Sequence, residues 1–294
     1  VEFRLTRPAL PGSSPAHRLL LASAMGGGAS TRAAEEDAYN GGDVDTMSMA
    51  PGPGETAADL AELLFGVEDS TKSMLSEQQQ EQLSNLFALL AQPGWRTGRS
   101  KKARIPSRYM FHRETGLYYA CFNCDVPDTP QSMFEDFASG KAQERYSEVC
   151  TEEVILTETD RQAPLGPERL VRGIYRMPYP MTDRDFVWTE WSALLPTADG
   201  GSLYISIAQS PSNEEEVCPP EPSRFVRGHL KLSATFVRQA QGAPTSQAGF
   251  IIQGDVRGKM PKSMQNLMAG NASTYLARFC DAHGGLVAPP KGGS

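Results

Sequence analysis

Arg184, Phe186, Trp188 and Glu190 stand at every second position of the run Arg184-Asp185-Phe186-Val187-Trp188-Thr189-Glu190. Residues two apart on an extended strand share a face, so this spacing sets a guanidinium and a carboxylate on either side of two large aromatic rings. Turned inward, such a face makes a ligand cavity rather than a packed core. Asp183 and Asp185 fall on the opposite face, where pairing with surface groups is their expected role, because catalysis needs groups that converge on one point. The chain has no GxSxG elbow, Walker loop or HExxH, and His17, His112, His229 and His283 are scattered. The reading is therefore of a binding protein, not an enzyme, with no catalytic residue, metal ligand or cofactor assigned. Cys121 and Cys124 have CxxC spacing, but within a strand their thiols point to opposite faces and cannot share one metal without a turn.

Two strand-like runs must hold this face. Residues 170–177 and 185–195 are rich in Val, Ile, Tyr, Phe and Trp, which suit a pleated surface. Between them Pro178-Tyr179-Pro180 makes a corner where no ladder hydrogen bond is needed. Further strands are expected at 109–112, 117–126, 147–159, 203–209, 225–238 and 248–256. In residues 225–238, Val226, Leu230, Leu232, Ala234 and Phe236 alternate with Arg227, His229, Lys231 and Ser233, the pattern of an antiparallel sheet with one wet side. Ser76 with Gln79 forms a capping box ahead of Leu83, Leu86, Phe87 and Leu90 at helical spacing. Thr129-Pro130 opens a second helix. Pro261 opens a third, running to about residue 282, with an apolar stripe of Met264, Leu267, Met268, Tyr275, Leu276 and Phe279; Gly270 within it costs on the order of 1 kcal/mol relative to Ala.

Length and charge divide the chain. Of 294 residues with a net charge of -7, residues 1–70 carry 4 Arg and 11 Asp plus Glu, so the remainder is neutral. Residues 1–70, with Gly26-Gly27-Gly28 and Pro51-Gly52-Pro53-Gly54, have too little apolar surface to offset ordering entropy. They are expected to be a disordered acidic tail, residues 71–285 a single domain, and 286–294 a second disordered tail. Leu19-Leu20-Leu21-Ala22 after Arg18 admits another reading, the remnant of a targeting segment. No run of about 18 apolar residues occurs, so no membrane-spanning helix is expected. Five irregularly spaced cysteines point to reduced thiols and a cytoplasmic setting. The basic residues from Arg96 to Arg113, Lys101, Lys102 and Arg104 among them, read first as a solvated face and second as a patch for anionic headgroups. Nucleic acid is not an expected partner, because aromatics do not interleave the charges.

Three pieces in order resemble the START domain, the steroidogenic-acute-regulatory-related lipid-transfer family. Met177-Pro178-Tyr179-Pro180-Met181-Thr182-Asp183-Arg184-Asp185-Phe186-Val187 resembles the family's proline turn followed by Arg-Asp-Phe/Tyr-Val. Phe225-Val226-Arg227-Gly228-His229-Leu230 resembles its "YVRAEI" strand, and Gln253-Gly254-Asp255-Val256-Arg257-Gly258-Lys259-Met260-Pro261 its "DxxGxIP" approach to the last helix. Where the family has a Trp-Asp pair, this chain has Arg145-Tyr146-Ser147-Glu148. The resemblance implies an α+β helix-grip fold, a curved antiparallel sheet wrapped around a long C-terminal helix and enclosing a hydrophobic tunnel. It implies a monomer that binds one lipid, a phosphatidylcholine-like phospholipid or a sterol, carries it between membranes and touches the membrane surface transiently. A lipid-sensing adaptor is the alternative, and an enzyme on the same scaffold, as in some aromatic cyclases, a lesser one. By the same resemblance Arg184 pairs with Glu148, as in sterol-binding relatives, or Phe186 and Trp188 surround a headgroup, as in phosphatidylcholine-binding ones; Glu190 joins the site by its strand face, and Met264, Leu267 and Met268 by the apolar stripe of the last helix. The expected gate is the last helix against the Gly-rich loop at 195–202.

Overall fold

The computed structural model describes residues 67, 73–99, 105–161, 164–261, 264–265, 269 and 272–285. Leu267, Met268, Gly270, Lys101, Lys102 and Arg104 lie outside the described residues, as does nearly all of the expected N-terminal tail.

Ser76 caps helix α1 (Glu77–Ala91) as expected: its hydroxyl accepts from the N–H of Gln79, and the Gln79 side chain accepts from the N–H of Ser76. Strands β1 (Arg96–Arg99), β2 (Pro106–His112) and β3 (Leu117–Val126) follow, then helix α2 (Pro130–Ala138), where Thr129 caps and Pro130 occupies the first turn. The chain continues as α3 (Ala142–Tyr146), β4 (Cys150–Thr159), β5 (Glu168–Tyr175), β6 (Arg184–Pro196), β7 (Ser202–Gln209), the short α4 (Glu214–Val217), β8 (Val226–Arg227), β9 (His229–Gln239), β10 (Ser246–Asp255) and α5 (Ser273–Ala282). The strands form one sheet in the order β1-β2-β3-β10-β9-β7-β6-β5-β4, antiparallel along this path, with β8 pairing β6 in parallel. The α+β reading is thus the observed architecture, a large antiparallel sheet with a C-terminal helix.

Both faces of the sheet are covered. Under α1, Leu83, Leu86 and Leu90 pack with Trp191, Ala193, Leu195, Leu203, Ile205 and Phe236. On the other face α2, α3 and α5 bring Phe134, Tyr146, Leu276 and Phe279 against Phe122, Val126 and Phe250. The wet side expected from 225–238 is absent for a definite reason. The β9–β10 register shifts at Gln253/Gly254, so Leu230 shares its face with Ser233 and Thr235, which are themselves buried. Leu232, Ala234 and Phe236 then belong to the α1 side. Two further expectations are corrected. Val67, placed in the tail, is buried and bridges Thr197. Asp185 is not a surface group but fully buried, accepting from Arg172 and Arg227. Helical backbone does follow Pro261, at Met264, Gln265 and Ala269, with the Gln265 N–H bonded back to the Pro261 carbonyl, and α5 covers Ser273–Ala282.

The far end of α5 is latched to the sheet. Its Cys280 is disulfide-bonded to Cys124 of β3, so the expectation of reduced thiols holds only for Cys121, Cys150 and Cys218, all buried. Spacing could not reveal this pair, because 156 residues separate its members and only the packing of α5 on β3 joins them. Beside it, the His283 ring lies 2.7 Å from Asp128 and 3.6 Å from Asp136 and stacks on Phe279. Asp136 also accepts from Tyr146 and pairs with Arg145.

The carboxylates, Asp136 foremost and then Asp128, hold the His283 pKa above its ordinary value against burial that lowers it. A raised histidine stabilises the fold fully below its unfolded pKa of about 6.5 and loses that contribution as pH rises through the folded value. The two aspartates are lowered despite burial, so their contribution is lost as pH falls through their folded values. His283→Ala should therefore cost about 2 kcal/mol near pH 6, the scale of hydrogen bonds to charged groups, and clearly less at pH 9. Urea denaturation at the two pH values checks this; equal losses would mean that only packing of the ring matters.

Candidate ligand-binding cavity

Between the sheet and the segment leading into α5 lies a cavity of about 290 Å³. Phe186, Trp188 and Glu190 of β6 form one wall, with Ser206 and Ala208 of β7, Leu230, Ser233 and Thr235 of β9, and Phe250 and Ile252 of β10 continuing it. Gln265, Ala269, Thr274 and Tyr275 close the other side. Alternation along β6 therefore carries three of the four residues singled out in the sequence to one surface.

The rings lie flat because the neighbouring strands lack side chains beneath them. A Cβ on Gly173 would sit 2.7 Å from the Trp188 ring, and one on Gly228 2.4 Å from the Phe186 ring, distances that real contacts do not reach. Gly173 is the β5 partner of Phe186 in the register, two residues from the Val171–Trp188 pair and on the same face. The Trp188 indole N–H donates to the Glu190 carboxylate at 2.9 Å, and Tyr175 packs edge-on against Phe186.

Arg184 occupies a different place. Buried at the start of β6, it donates to the carbonyls of Val256, at 2.7 Å, of Arg257 and of Thr182, and it does not line the cavity. Its guanidinium fastens the end of β10 to the proline turn. Glu148 does line the cavity, but on an exposed rim, paired with Arg278 of α5 at 3.2 Å. The expected Arg184–Glu148 pair is therefore not formed, since each partner is committed elsewhere. Met264 is half-buried and not on the wall; its neighbour Gln265 is, fixed by the Val256 N–H and the Met260 carbonyl.

The buried ion pair at the cavity involves Arg169, which the sequence reading missed. Arg169, on β5 directly opposite Glu190, is 3.6 Å from it and also bonds Glu158 and the carbonyls of Phe137 and Ala138 at the end of α2. Burial raises the Glu190 pKa, while the Trp188 N–H and Arg169 pull it back. Glu153, also missed, is buried on the wall and accepts from the Glu144 N–H at 3.0 Å. Burial pushes its carboxyl up to about 7; the N–H of Glu144 opposes this, and the charge of Glu190 adds to it. Counting outward from the proline turn would have found Arg169; nothing in the sequence marks Glu153.

No family model and no curated protein matches the chain by sequence. Solved structures match it by shape. The human StarD13 lipid transfer and protein localization domain superposes with a TM-score of 0.50 at 16% identity, over 71% of this chain and 98% of that one. Human StAR-related lipid transfer protein 5 gives 0.50 at 16% identity, over 76% and 96%. A STAR-related lipid transfer protein fragment from Xanthomonas axonopodis gives 0.50 at 13%, over 64% and 98%. The chain has the START fold. On this START scaffold the long β5–β6 hairpin carries the polar wall of the cavity, and the segment before α5 covers it.

The cavity also corrects the expected gate. It lies against the first half of β6 and the last half of β7, whereas Leu195 and Leu203, beside the Gly-rich turn, are buried on the α1 side. A hairpin of 13 and 8 residues puts its turn at the opposite end from the cavity. Arg176 and Pro178 of the proline turn, with Glu148 and Val149, are instead exposed residues of the cavity lining.

Removing Arg169 alone should leave the half-buried Glu190 without its cation and with only the Trp188 N–H as partner. Arg169→Met is expected to cost about 3–5 kcal/mol in urea denaturation, and Arg169→Met with Glu190→Gln to recover at least half of that. A double variant no more stable than the single one would show that the pair is not coupled.

Proposed function

We propose that this protein binds one lipid in the cavity and carries it between membranes. The observation that carries the reading is a partly open, largely apolar cavity with a few converging polar groups, on a fold whose solved examples include proteins named for lipid transfer. Phe186, Trp188 and Glu190 would contact the ligand, and Glu148 would stand at its exit. No cofactor or catalytic group enters this reading.

Loading requires an opening, and the proline turn supplies one next to a membrane-seeking side chain. Tyr179 is 94% exposed, between Pro178 and Pro180, while Arg176, Met177 and Pro178 of the same turn line the cavity. An exposed tyrosine with an apolar ring and a polar tip suits the bilayer interface, and Arg176 suits anionic headgroups. Among the described residues no helix is long and apolar enough to cross a membrane, so contact through this rim would be reversible.

Fluorescent lipid moving from donor to acceptor vesicles tests the proposal. The protein should accelerate transfer, Tyr179→Ala should slow it several-fold without lowering thermal stability, and Trp188→Ala should weaken retention of the bound lipid. Extraction without delivery would favour a lipid-sensing role, and failure to extract any lipid would remove the reading altogether.

A further inference from the structure

The charges around the cavity restrict what its occupant can present. Among the described residues lining it, the buried Glu153 and the half-buried Glu190 are the inner acids, and the only cation is Arg176, which is exposed. Arg169, the cation nearest Glu190, is not on the wall, and its guanidinium is already shared among two carboxylates and two carbonyls. Among the described residues no cation on the inner wall is left to neutralise an incoming anion. A phosphate or carboxylate brought there would face two acids in a medium that screens poorly.

The same wall suits a donor. Glu190 and Glu153 are acceptors, and the faces of Trp188, Phe186 and Tyr175 stand beside them. Aromatic faces next to a carboxylate favour a cation, whose charge they attract without demanding a fixed geometry.

Resting on the lipid-binding reading, we propose that the cavity takes a lipid whose buried end donates hydrogen bonds, an ammonium ahead of a hydroxyl, and excludes one that ends in an anion. Glu153 and Glu190 impose this choice. One carboxylate beside the aromatic faces meets the ammonium, and the other prevents an anion from settling.

Displacement of Nile red, a neutral fluorescent probe, from the full chain tests this with three ligands of one chain length, each kept below its micelle concentration. Dodecylamine should displace at the lowest concentration, dodecanol within about tenfold of it, and dodecyl sulfate only at a concentration at least a hundredfold higher. Glu190→Gln, which releases Arg169, should bring dodecyl sulfate to within about tenfold of dodecanol; Glu153→Gln, which leaves Arg169 engaged, should narrow the gap without closing it. Circular dichroism confirms that each variant is folded, and Glu153→Gln serves alone if Glu190→Gln is not. Dodecyl sulfate displacing as well as dodecylamine from the unaltered chain would overturn the proposal, and an amine preference unchanged in the folded variants would overturn its assignment to these carboxylates. If neither the three ligands nor a labelled phospholipid binds at all, it is the lipid-binding reading that fails.

Discussion

The cavity wall depends on one buried guanidinium. Arg169 joins four pieces of chain at a single point: the last carbonyls of α2, Glu158 of β4, its own strand β5 and Glu190 of β6. The end of a helix presents carbonyls with partial negative charge, so a cation there answers helix and carboxylates together. Burying such a pair adds little net stability, but losing either member is costly. Glu190 can therefore face an apolar cavity as a charged group only while Arg169 stands behind it. That arrangement makes the polar end of the cavity both anionic and rigid.

A cavity on this wall must stay unfilled, which works against the close packing of protein interiors. The chain resolves the conflict with glycine under aromatics. The Trp188 and Phe186 rings lie down on Gly173 and Gly228 instead of standing into the space above the sheet. Flat rings leave a smooth wall, and the volume they would otherwise fill remains for a ligand. The same economy places Ser233 and Thr235, small and hydrogen-bonding, further along that wall.

The terminal helix is fixed at its C-terminal end by Cys280 and His283, and Gln265, Ala269 and Ala272 before it border the cavity. Gln265 is held in turn by the Val256 N–H and the Met260 carbonyl, so the cover is tied to the end of β10. The exposed Tyr179 belongs to the turn that lines the cavity.

Local rules were enough to read much of this chain. The capping box at Ser76, the Thr129-Pro130 start, the strand runs and the period of two along β6 are properties of neighbouring residues, so the sheet and the cavity-facing set Phe186, Trp188 and Glu190 were legible in the sequence. The charge partners were not, because they depend on register and on helix placement. Arg184 looked like the site's cation by its period, yet it sits at the start of β6 within reach of three carbonyls. Glu148 looked like its partner, yet α5 brings Arg278 to it first. A register shift of β9 against β10 at Gln253/Gly254 changed which residues face inward, since any slip by one residue exchanges the two faces of a strand. Cys124 and Cys280, like Asp128 and His283, are more than a hundred residues apart, and only the docking of the last helix on β3 and α2 puts them within bonding distance. What the sequence determined was the sheet and the aromatic wall, through periods of two and local caps; which charges meet across that wall was decided by tertiary packing, because ion pairs form between surfaces that only the finished fold brings together.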